Sequence, residues 1–471
     1  MKPLDFAVLT DIHYYSKKNW VDGDPYAYPP AHEQLYRRGS EEIIRSVFDD
    51  LCKDGMPQIV LISGDLTNNG EVTSHEEIRE LLRELKSRGK RVYVTTATHD
   101  YRGNGLSYGF DKNNKKVDVP AFVREDLREF YREFGMDEAV DVHYETMCYS
   151  VDLTPEYRLL ALNDDKGYDH AGFTDECFDW IKRQAEDAKQ KNMFIIAMTH
   201  HPVLSPSPLY RLIAPGDLLE KGEVRAKAFA DLGISFMFTG HSHIHNISSV
   251  TSDGGNVFYD ISTSALVGFP PNYRTVRFDP ESGKVEIKTT TVEDVPSLDT
   301  NGTSLSEFTE KQFLGTVGDI LDSAENDYAE FQKLADSFSL RPEKSAKLKW
   351  IIQPAAKYVN RLTFGKIWRK TKRQNGVSKA EIMPLRDKKI VPFAISMAAS
   401  LYRGDADIPK DSAEYRIAKA FFKKLDRLTK PFSKKLASAG IDSLSSALLP
   451  LLHNESLPDA ECVLDMHPVA D

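Results

Sequence analysis

Acidic and imidazole side chains recur in this sequence directly after short apolar runs. They follow five such runs and are Asp11, His13, Asp65, His99, Asp100, His200, His241 and His243. Carboxylate oxygens and neutral imidazole nitrogens together suit a pair of divalent cations, and a carboxylate can bridge the two. Such a pair can neutralise phosphoryl oxygens, activate water near pH 7 and stabilise a leaving oxygen. The residue types therefore favour hydrolysis of a phosphate ester at a two-metal site.

The five apolar runs have the length and composition of buried strands. They cover residues 6–10, 58–63, 91–96, 193–198 and 234–239. Segments with 3.6-residue apolar spacing, typical of helices, lie between them at residues 40–53, 74–86, 121–134 and 175–189. Later strand-like runs at 257–261, 273–278 and 284–290 have no helices between them. The alternation predicts an α/β layer fold with a partly antiparallel sheet arrangement.

A turn-rich stretch over residues 293–306 separates two regions of different character. A chain of 471 residues is long for one compact core, so we expect either two domains or one large domain with a substantial appendage. We predict a catalytic domain over residues 1–295 and a mostly α-helical C-terminal domain of unassigned role over residues 305–471. Its long amphipathic runs cover residues 306–338, 346–368, 413–436 and 443–452. Residues 454–471 lack periodicity and are expected to be loosely held.

Several motifs of the first 290 residues resemble those of the calcineurin-like metallophosphoesterases in identity and order. They are Asp11-x-His13, Gly64-Asp65, Thr98-His99-Asp100, His200 and Gly240-His241-x-His243. The resemblance implies a four-layer αββα sandwich, here followed by the helical C-terminal region. It also implies two divalent metal ions, either Mn²⁺, Fe²⁺/Fe³⁺ or Zn²⁺, as cofactors.

The same resemblance implies a role for each motif residue. Asp11, His13 and His243 would hold the first metal. Asp65 would bridge, and His200 and His241 would hold the second. His99, paired with Asp100, would lie near the phosphate and assist the leaving group, while a hydroxide bridging the metals attacks phosphorus.

One position departs from the family pattern. The family usually has Gly-Asn-His at the fourth motif, and the Asn carbonyl ligates the second metal. This sequence has Ala97 and Thr98 there. Since a Thr hydroxyl is a shorter and poorer ligand for a divalent cation, the pattern predicts either a water in place of the amide or a weakened second site.

Weaker features resemble the branch of class III cyclic nucleotide phosphodiesterases and glycerophosphodiesterases. They are Ala161-Leu162-Asn163-Asp164, Gly172, Trp180-Ile181, Ser262-Thr263-Ser264 and Pro270-Pro271-Asn272-Tyr273-Arg274. These features alone do not identify a substrate. The function we predict is a phosphodiesterase that acts on a small-molecule or cyclic-nucleotide-like phosphodiester. A phosphomonoesterase or a pyrophosphatase is the alternative within the enzyme class. A catalytically weakened binding or scaffold protein on the same fold is the alternative outside it.

Charge is unevenly distributed along the chain. The net charge is -10, yet residues 341–373 contain eleven Lys and Arg against the single acid Glu343. A solvated helix face is the favoured interpretation of this basic segment. The less favoured one is contact with nucleic acid or an anionic membrane, because Trp350, Tyr358, Phe364 and Trp368 lie among the charges.

The spacing of the cysteines and the lengths of the apolar runs indicate the cellular compartment of the protein. Cys52, Cys148, Cys177 and Cys462 are scattered without a CxxC motif, which favours a reducing environment. Neither a signal peptide nor an apolar run long enough for a membrane helix is visible, so we predict a cytoplasmic protein. A chain trimmed of a leader would have the same sequence. The oligomeric state stays open.

Overall fold

Two β-sheets packed face to face form the centre of the protein. The computed structural model describes residues 1–20, 34–113, 115–166, 171–336, 342–429, 433–438, 440–454 and 457–467. One sheet has six strands in the spatial order β15 (Glu461–Asp465), β14 (Lys284–Thr291), β13 (Asn272–Asp279), β1 (Leu4–Leu9), β2 (Ile59–Ser63) and β3 (Arg91–Thr95). The other has seven, in the order β11 (Asn246–Thr251), β12 (Val257–Ser262), β10 (Phe236–Thr239), β9 (Phe194–Met198), β8 (Tyr157–Ala161), β7 (Cys148–Thr154) and β6 (Asp141–His143). A separate hairpin pairs β4 (Leu106–Phe110) with β5 (Lys116–Pro120).

Helices cover the outer face of each sheet. The first part of the chain forms α1 (Ser40–Leu51), α2 (Val72–Ser87), α3 (Arg124–Tyr131), α4 (Asp175–Gln190), α5 (Pro208–Ile213) and α6 (Gly222–Asp231). One apolar cluster joins α1, α2 and α3 to the six-stranded sheet, a second lies between the sheets, and a third joins α4 and α6 to the seven-stranded sheet. These four layers confirm the predicted αββα sandwich, and burial of apolar surface between them is the main stabilising term.

Parallel strands place the motif residues at one edge of the sandwich. In the six-stranded sheet β1 pairs in parallel with β2, and β2 with β3. In the seven-stranded sheet β9 pairs in parallel with β8 and with β10. The carboxyl ends of parallel strands meet at the same edge, so the loops that follow β1, β2, β3, β9 and β10 converge there. The antiparallel pairs of β13 and β14 confirm the predicted mixed character.

The region from residue 305 is mostly helical, as predicted. Its helices are α7 (Leu305–Asn326), α8 (Tyr328–Asp336), α9 (Pro342–Val359), α10 (Phe364–Asn375), α11 (Lys379–Ile382), α12 (Ile390–Arg403), α13 (Ala413–Thr429), α14 (Ser433–Ser438) and α15 (Leu444–Leu448). No helix in the described ranges is long and apolar enough to cross a bilayer.

Two predicted long helices are each divided in the structure. The run over 306–338 breaks at Asp327, whose φ is -140° and whose Oδ1 accepts from the amides of Ala329 and Glu330 at 3.2 Å. The run over 346–368 breaks before Thr363, whose side chain accepts from the amide of Lys366. Both residues satisfy free amides at the start of the next helix, which stabilises the break.

The C-terminal residues are more ordered than the sequence predicts, because they include the strand β15. Although residues 454–471 were expected to be loosely held, β15 pairs antiparallel with β14 from Lys284↔Asp465 to Lys288↔Glu461. Cys462 and Leu464 lie in the apolar cluster between the sheets. Burial alternates along these five residues, but the sequence does not, because Cys462, Val463 and Leu464 are all apolar. The polar and apolar alternation that would predict a strand is therefore missing. The predicted division into residues 1–295 and 305–471 stays a prediction. The six-stranded sheet contains strands from both of these ranges, because β15 pairs with β14.

Candidate metal centre

Backbone conformation is unusual at the predicted ligands. Five of them have φ between 42° and 61° and are Asp11, His13, Asp65, His241 and His243. Residues other than glycine rarely adopt this left-handed region, and the strain is tolerated mainly where surrounding contacts enforce it. The chain turns sharply after β1, β2 and β10, so each loop directs its side chain back over the edge of its sheet.

Three of the predicted ligands form a first cluster. Nε2 of His243 lies 3.2 Å from Oδ1 of Asp11, and Nε2 of His13 lies 3.6 Å from the same oxygen. The two imidazole Nε2 atoms are 3.3 Å apart. Oδ1 of Asp11 is buried and has no hydrogen-bond partner among the described residues. These converging atoms match one cation site of mixed oxygen and nitrogen ligands.

Asp65, His200 and His241 form a second cluster beside the first. Their ligand atoms lie within 4.8 Å of one another, and Nε2 of His200 is 3.0 Å from Oδ2 of Asp65. That Oδ2 also lies 3.7 Å from Nε2 of His13 in the first cluster. Asp65 therefore occupies the position between the two clusters that a bridging carboxylate requires.

Local contacts fix the direction in which these ligands point. Nδ1 of His200 donates to the carbonyl of Ser63 at 2.8 Å, which leaves its Nε2 lone pair directed at the cluster. Oδ2 of Asp11 accepts from the hydroxyl of Thr10 at 2.7 Å and from the amide of His241 at 2.9 Å, so Oδ1 stays free.

Two motif glycines are required by close approach. A Cβ on Gly64 would lie 2.6 Å from Nδ1 of His200, and one on Gly240 would lie 1.9 Å from Oγ1 of Thr10. Gly64 also has a φ of 99°. Only glycine lets the loops carrying Asp65 and His241 approach the neighbouring strand ends so closely.

His99 lies beside the first cluster, but its partner is not the predicted one. Its ring is 5.0 Å from that of His13 between centroids, and its amide donates to Oδ1 of Asp65 at 3.0 Å. Nδ1 of the ring hydrogen bonds to the carbonyl of Asn68 at 2.6 Å, not to Asp100. Burial lowers the pKa of His99 to about 4, although part of the side chain stays accessible. The imidazole is therefore neutral near pH 7, and its Nε2 is available to accept a proton.

The carboxylate of Asp100 instead links the loop that follows β2 to the loop that follows β3. Its Oδ1 accepts from the amide of Thr67 at 2.8 Å, and its Oδ2 accepts from the amide of Ala97 at 2.9 Å. Burial and the charge of Asp65 raise the pKa of Asp100 to about 7. The predicted side-chain pairing of Asp100 with His99 is therefore corrected, because both carboxylate oxygens face backbone amides. The catalytic roles assigned to the two residues stay predictions.

Comparisons with known proteins identify the family of this chain and several similar solved structures. The profile of the family described as calcineurin-like phosphoesterase matches residues 4–245, just over half of the chain. The chain belongs to this family. A dimetal phosphatase from Danio rerio is 14% identical, with 61% of this chain and 96% of that chain covered at a TM-score of 0.43. A purple acid phosphatase from yellow lupin (Lupinus luteus) seeds is also 14% identical, with 63% and 53% covered at a TM-score of 0.40. No curated protein matches the sequence.

In this calcineurin-like phosphoesterase the second cluster has a support that the motifs did not reveal. Oδ1 of Asp164 is 2.9 Å from Nδ1 of His201, and Oδ2 accepts from the amide of His201 and the hydroxyl of Thr199, both at 2.8 Å. The ring of His201 lies 4.0 Å from that of His241 between centroids. Asp164 thus holds the loop that presents His200, and the adjacency of Asn163 and Asp164 after an apolar strand was the sequence signal for it.

The charged groups of the site shift one another's pKa values. Burial opposes ionisation of Asp11, but the imidazoles of His243, His13 and His200 outweigh it and hold the pKa of Asp11 well below its usual range. Burial likewise favours a neutral His200, yet Asp65 and Asp11 raise the pKa of His200 to about 10. The carboxylates of Asp11 and Asp65 therefore stay ionised at neutral pH, as cation ligands must be. A cation that binds His200 must displace the proton on its Nε2.

The helical region contacts the loop that carries the last two ligands. The amide of His245, two residues after His243, donates to the carbonyl of Tyr402 at the end of α12 at 3.0 Å. The amide of Ile247 donates to Oδ1 of Asp459 at 2.6 Å. Residues from the C-terminal half therefore help to fix the loop from His241 to β11.

Proposed function

We propose that this chain is a phosphodiesterase that hydrolyses a small-molecule phosphodiester at a two-metal centre. The observation that carries the proposal is the position of Asp65, whose Oδ2 lies between the two ligand clusters. When bound, two divalent cations neutralise phosphoryl oxygens and lower the pKa of a coordinated water. Mn²⁺, Fe²⁺/Fe³⁺ and Zn²⁺ all accept such a mixed ligand set.

The chain's own residues supply the rest of the chemistry. Asp11, His13 and His243 would hold one cation, and His200 and His241 would hold the other, with Asp65 shared. Nε2 of His99 would face the phosphoester, since Nδ1 is engaged with Asn68. The negative charge of a bound phosphoester would favour the imidazolium form of His99. In that form Nε2 would bind a phosphoryl oxygen or deliver a proton to the departing alcohol.

The diester class rests on the resemblance to the cyclic nucleotide phosphodiesterase and glycerophosphodiesterase branch. Two residues that carry this resemblance hold segments next to the metal ligands in place. Asp164 orients His201, and Arg274 donates to the carbonyl of Ser262 at 3.0 Å and to the hydroxyl of Thr263 at 3.2 Å. A monoesterase or a pyrophosphatase would use the same metal centre and is the second candidate.

A substrate panel tests the proposal directly. The purified protein, loaded with Mn²⁺, Zn²⁺ or Fe²⁺ in turn, is assayed with bis-p-nitrophenyl phosphate, a cyclic nucleotide, p-nitrophenyl phosphate and pyrophosphate. We expect kcat/KM to be highest for a diester. A preference for the monoester or pyrophosphate would overturn the diesterase assignment, and inactivity with every metal would favour the scaffold alternative.

The His99→Gln variant tests the role of the imidazole. If His99 protonates the leaving alcohol, kcat/KM should fall by about 10²-fold or more for an alkyl ester. The fall should be much smaller for a p-nitrophenyl ester, because that leaving group departs without protonation. Equal losses for both leaving groups would instead assign His99 to binding of the phosphoryl oxygens.

The Thr98→Asn variant tests the departure from the family pattern. An amide carbonyl at this position should raise the affinity for the second cation by at least about tenfold, as expected for an added metal-site contact. Titration calorimetry and metal-to-protein ratios at limiting metal measure the change. Thr98→Val is the matched control, since it keeps the shape and removes only the hydroxyl. Unchanged affinity in Thr98→Asn would show that the second site is complete without an amide.

A further inference from the structure

Helix α9 exposes large apolar side chains beside positive charges. Trp350 is 76% exposed, Ile351 46% and Tyr358 49%. Ile351 and Tyr358 are seven residues apart and therefore lie on the same face of the helix. Lys349 and Lys357 are exposed next to them. Arg341 and the side chains of residues 342–348 lie outside the described part of the chain.

The aromatic residues of this segment divide into two groups. Phe364 is buried in an apolar cluster, and the indole of Trp368 donates to the carbonyl of Val377 at 2.8 Å. These two fit simple packing. Trp350 and Tyr358 are largely exposed instead, so packing against the described residues does not account for them.

A cationic cleft of about 370 Å³ adjoins this face between α9 and α10. Four of its lining residues are cations, Lys357, Arg361, Lys366 and Lys370, and none of the lining residues that the structure describes is acidic. The ammonium of Lys370 lies 4.8 Å from the ring centre of Tyr358. Arg361 has a distant partner, Glu325, at 3.8 Å. The cleft has the charge and size to accept a phosphate headgroup.

We propose that α9 and this cleft form a docking surface for an anionic lipid bilayer. Trp and Tyr are favoured at the boundary between headgroups and acyl chains, and flanking Lys and Arg bind the negative leaflet. An aliphatic residue such as Ile351 gains from insertion among acyl chains, whereas it offers a nucleic acid base no stacking surface. The chain carries a net charge of -10, so an anionic surface attracts this basic face and repels the remainder.

Vesicle binding by the full chain tests the proposal. Flotation is measured with phosphatidylcholine vesicles, with and without phosphatidylglycerol, at low and high salt. We expect binding only to the anionic vesicles, weakened by salt. The double variant Lys357→Gln with Lys366→Gln should bind about 30-fold more weakly, since each cation near such a surface contributes about 1 kcal/mol.

A second variant and a matched control separate insertion from charge. Trp350→Gln with Ile351→Gln should also lose binding, and the blue shift of tryptophan emission on vesicles should disappear with it. Trp20 and Trp180 are buried and should not respond. Lys112→Gln with Lys115→Gln makes the same charge change on an exposed part of the catalytic region and should bind like the wild type. All variants should keep wild-type turnover of a soluble substrate.

Three results would overturn the docking surface. One is equal binding to neutral and anionic vesicles. Another is equal behaviour of the test variants and the control. The third is binding of a single-stranded oligonucleotide that depends on the same lysines while vesicles are not bound, which would assign the face to nucleic acid.

Discussion

The Asp65→Asn variant is expected to lose at least about 10³-fold in kcat/KM, because a metal pair supplies several kcal/mol of transition-state stabilisation. The carboxylate is the group whose Oδ2 lies near both clusters, at 3.0 Å from His200 and 3.7 Å from His13. An amide removes the negative charge that the two cations would share. Metal analysis should show fewer ions bound per chain than in the wild type.

Asparagine is the cleaner substitution at this position. Asp65 has a φ of 51°, and Asn tolerates that conformation better than Ala does. Its carbonyl can also still accept from the amide of His99, as Oδ1 of Asp65 does at 3.0 Å. Asp65→Asn should therefore keep cooperative unfolding and a wild-type circular dichroism spectrum, whereas Asp65→Ala adds backbone strain.

A graded comparison strengthens the test. His201→Gln alters a residue behind the second cluster and should lower kcat/KM by only about 10- to 100-fold. The loss in Asp65→Asn should exceed the loss in His201→Gln. If Asp65→Asn kept activity within tenfold of wild type and full metal content, the two-metal mechanism would be wrong.

The sequence predicted the members of the site better than their contacts. Apolar runs that each end in an acid or an imidazole mark strand ends, and parallel strands bring such ends together. That reasoning placed Asp11, Asp65 and His200 correctly at one edge. It could not reveal that Asp100 faces the amides of Thr67 and Ala97, because adjacency in sequence does not fix the direction of a side chain.

The strained backbone conformation of the ligand loops could not be predicted from the sequence either. The close approach at Gly64 and Gly240 and the positive φ of Asp11 and His243 both follow from the way the loops pack. Helix breaks at Asp327 and Thr363 were visible in principle as capping residues. The strand β15 was not, because a five-residue edge strand depends on its partner β14 and not on its own pattern.

The Leu464→Asp variant is expected to destabilise the whole sandwich. Leu464 is 4% exposed and packs in the cluster between the two sheets. Its replacement loses about 2 kcal/mol of apolar burial and places a carboxylate among apolar side chains, so the total cost should exceed about 4 kcal/mol. Thermal unfolding should shift far below that of the wild type, or the protein should be insoluble.

Val463→Asp is the matched control on the same strand. Val463 is 63% exposed on the opposite face, where it pairs with Glu286. An Asp at this position should therefore cost no more than about 2 kcal/mol, from lower strand propensity and a like charge on the neighbouring strand. Activity should follow stability, because Arg274, which is fully buried, donates to the carbonyl of Asp459 at 2.7 Å just before this strand. Loss of β15 would leave that guanidinium short of an acceptor and free the segment that leads back to His243. If both variants melted near the wild-type temperature, the sandwich would not depend on burial of Leu464 in its last strand.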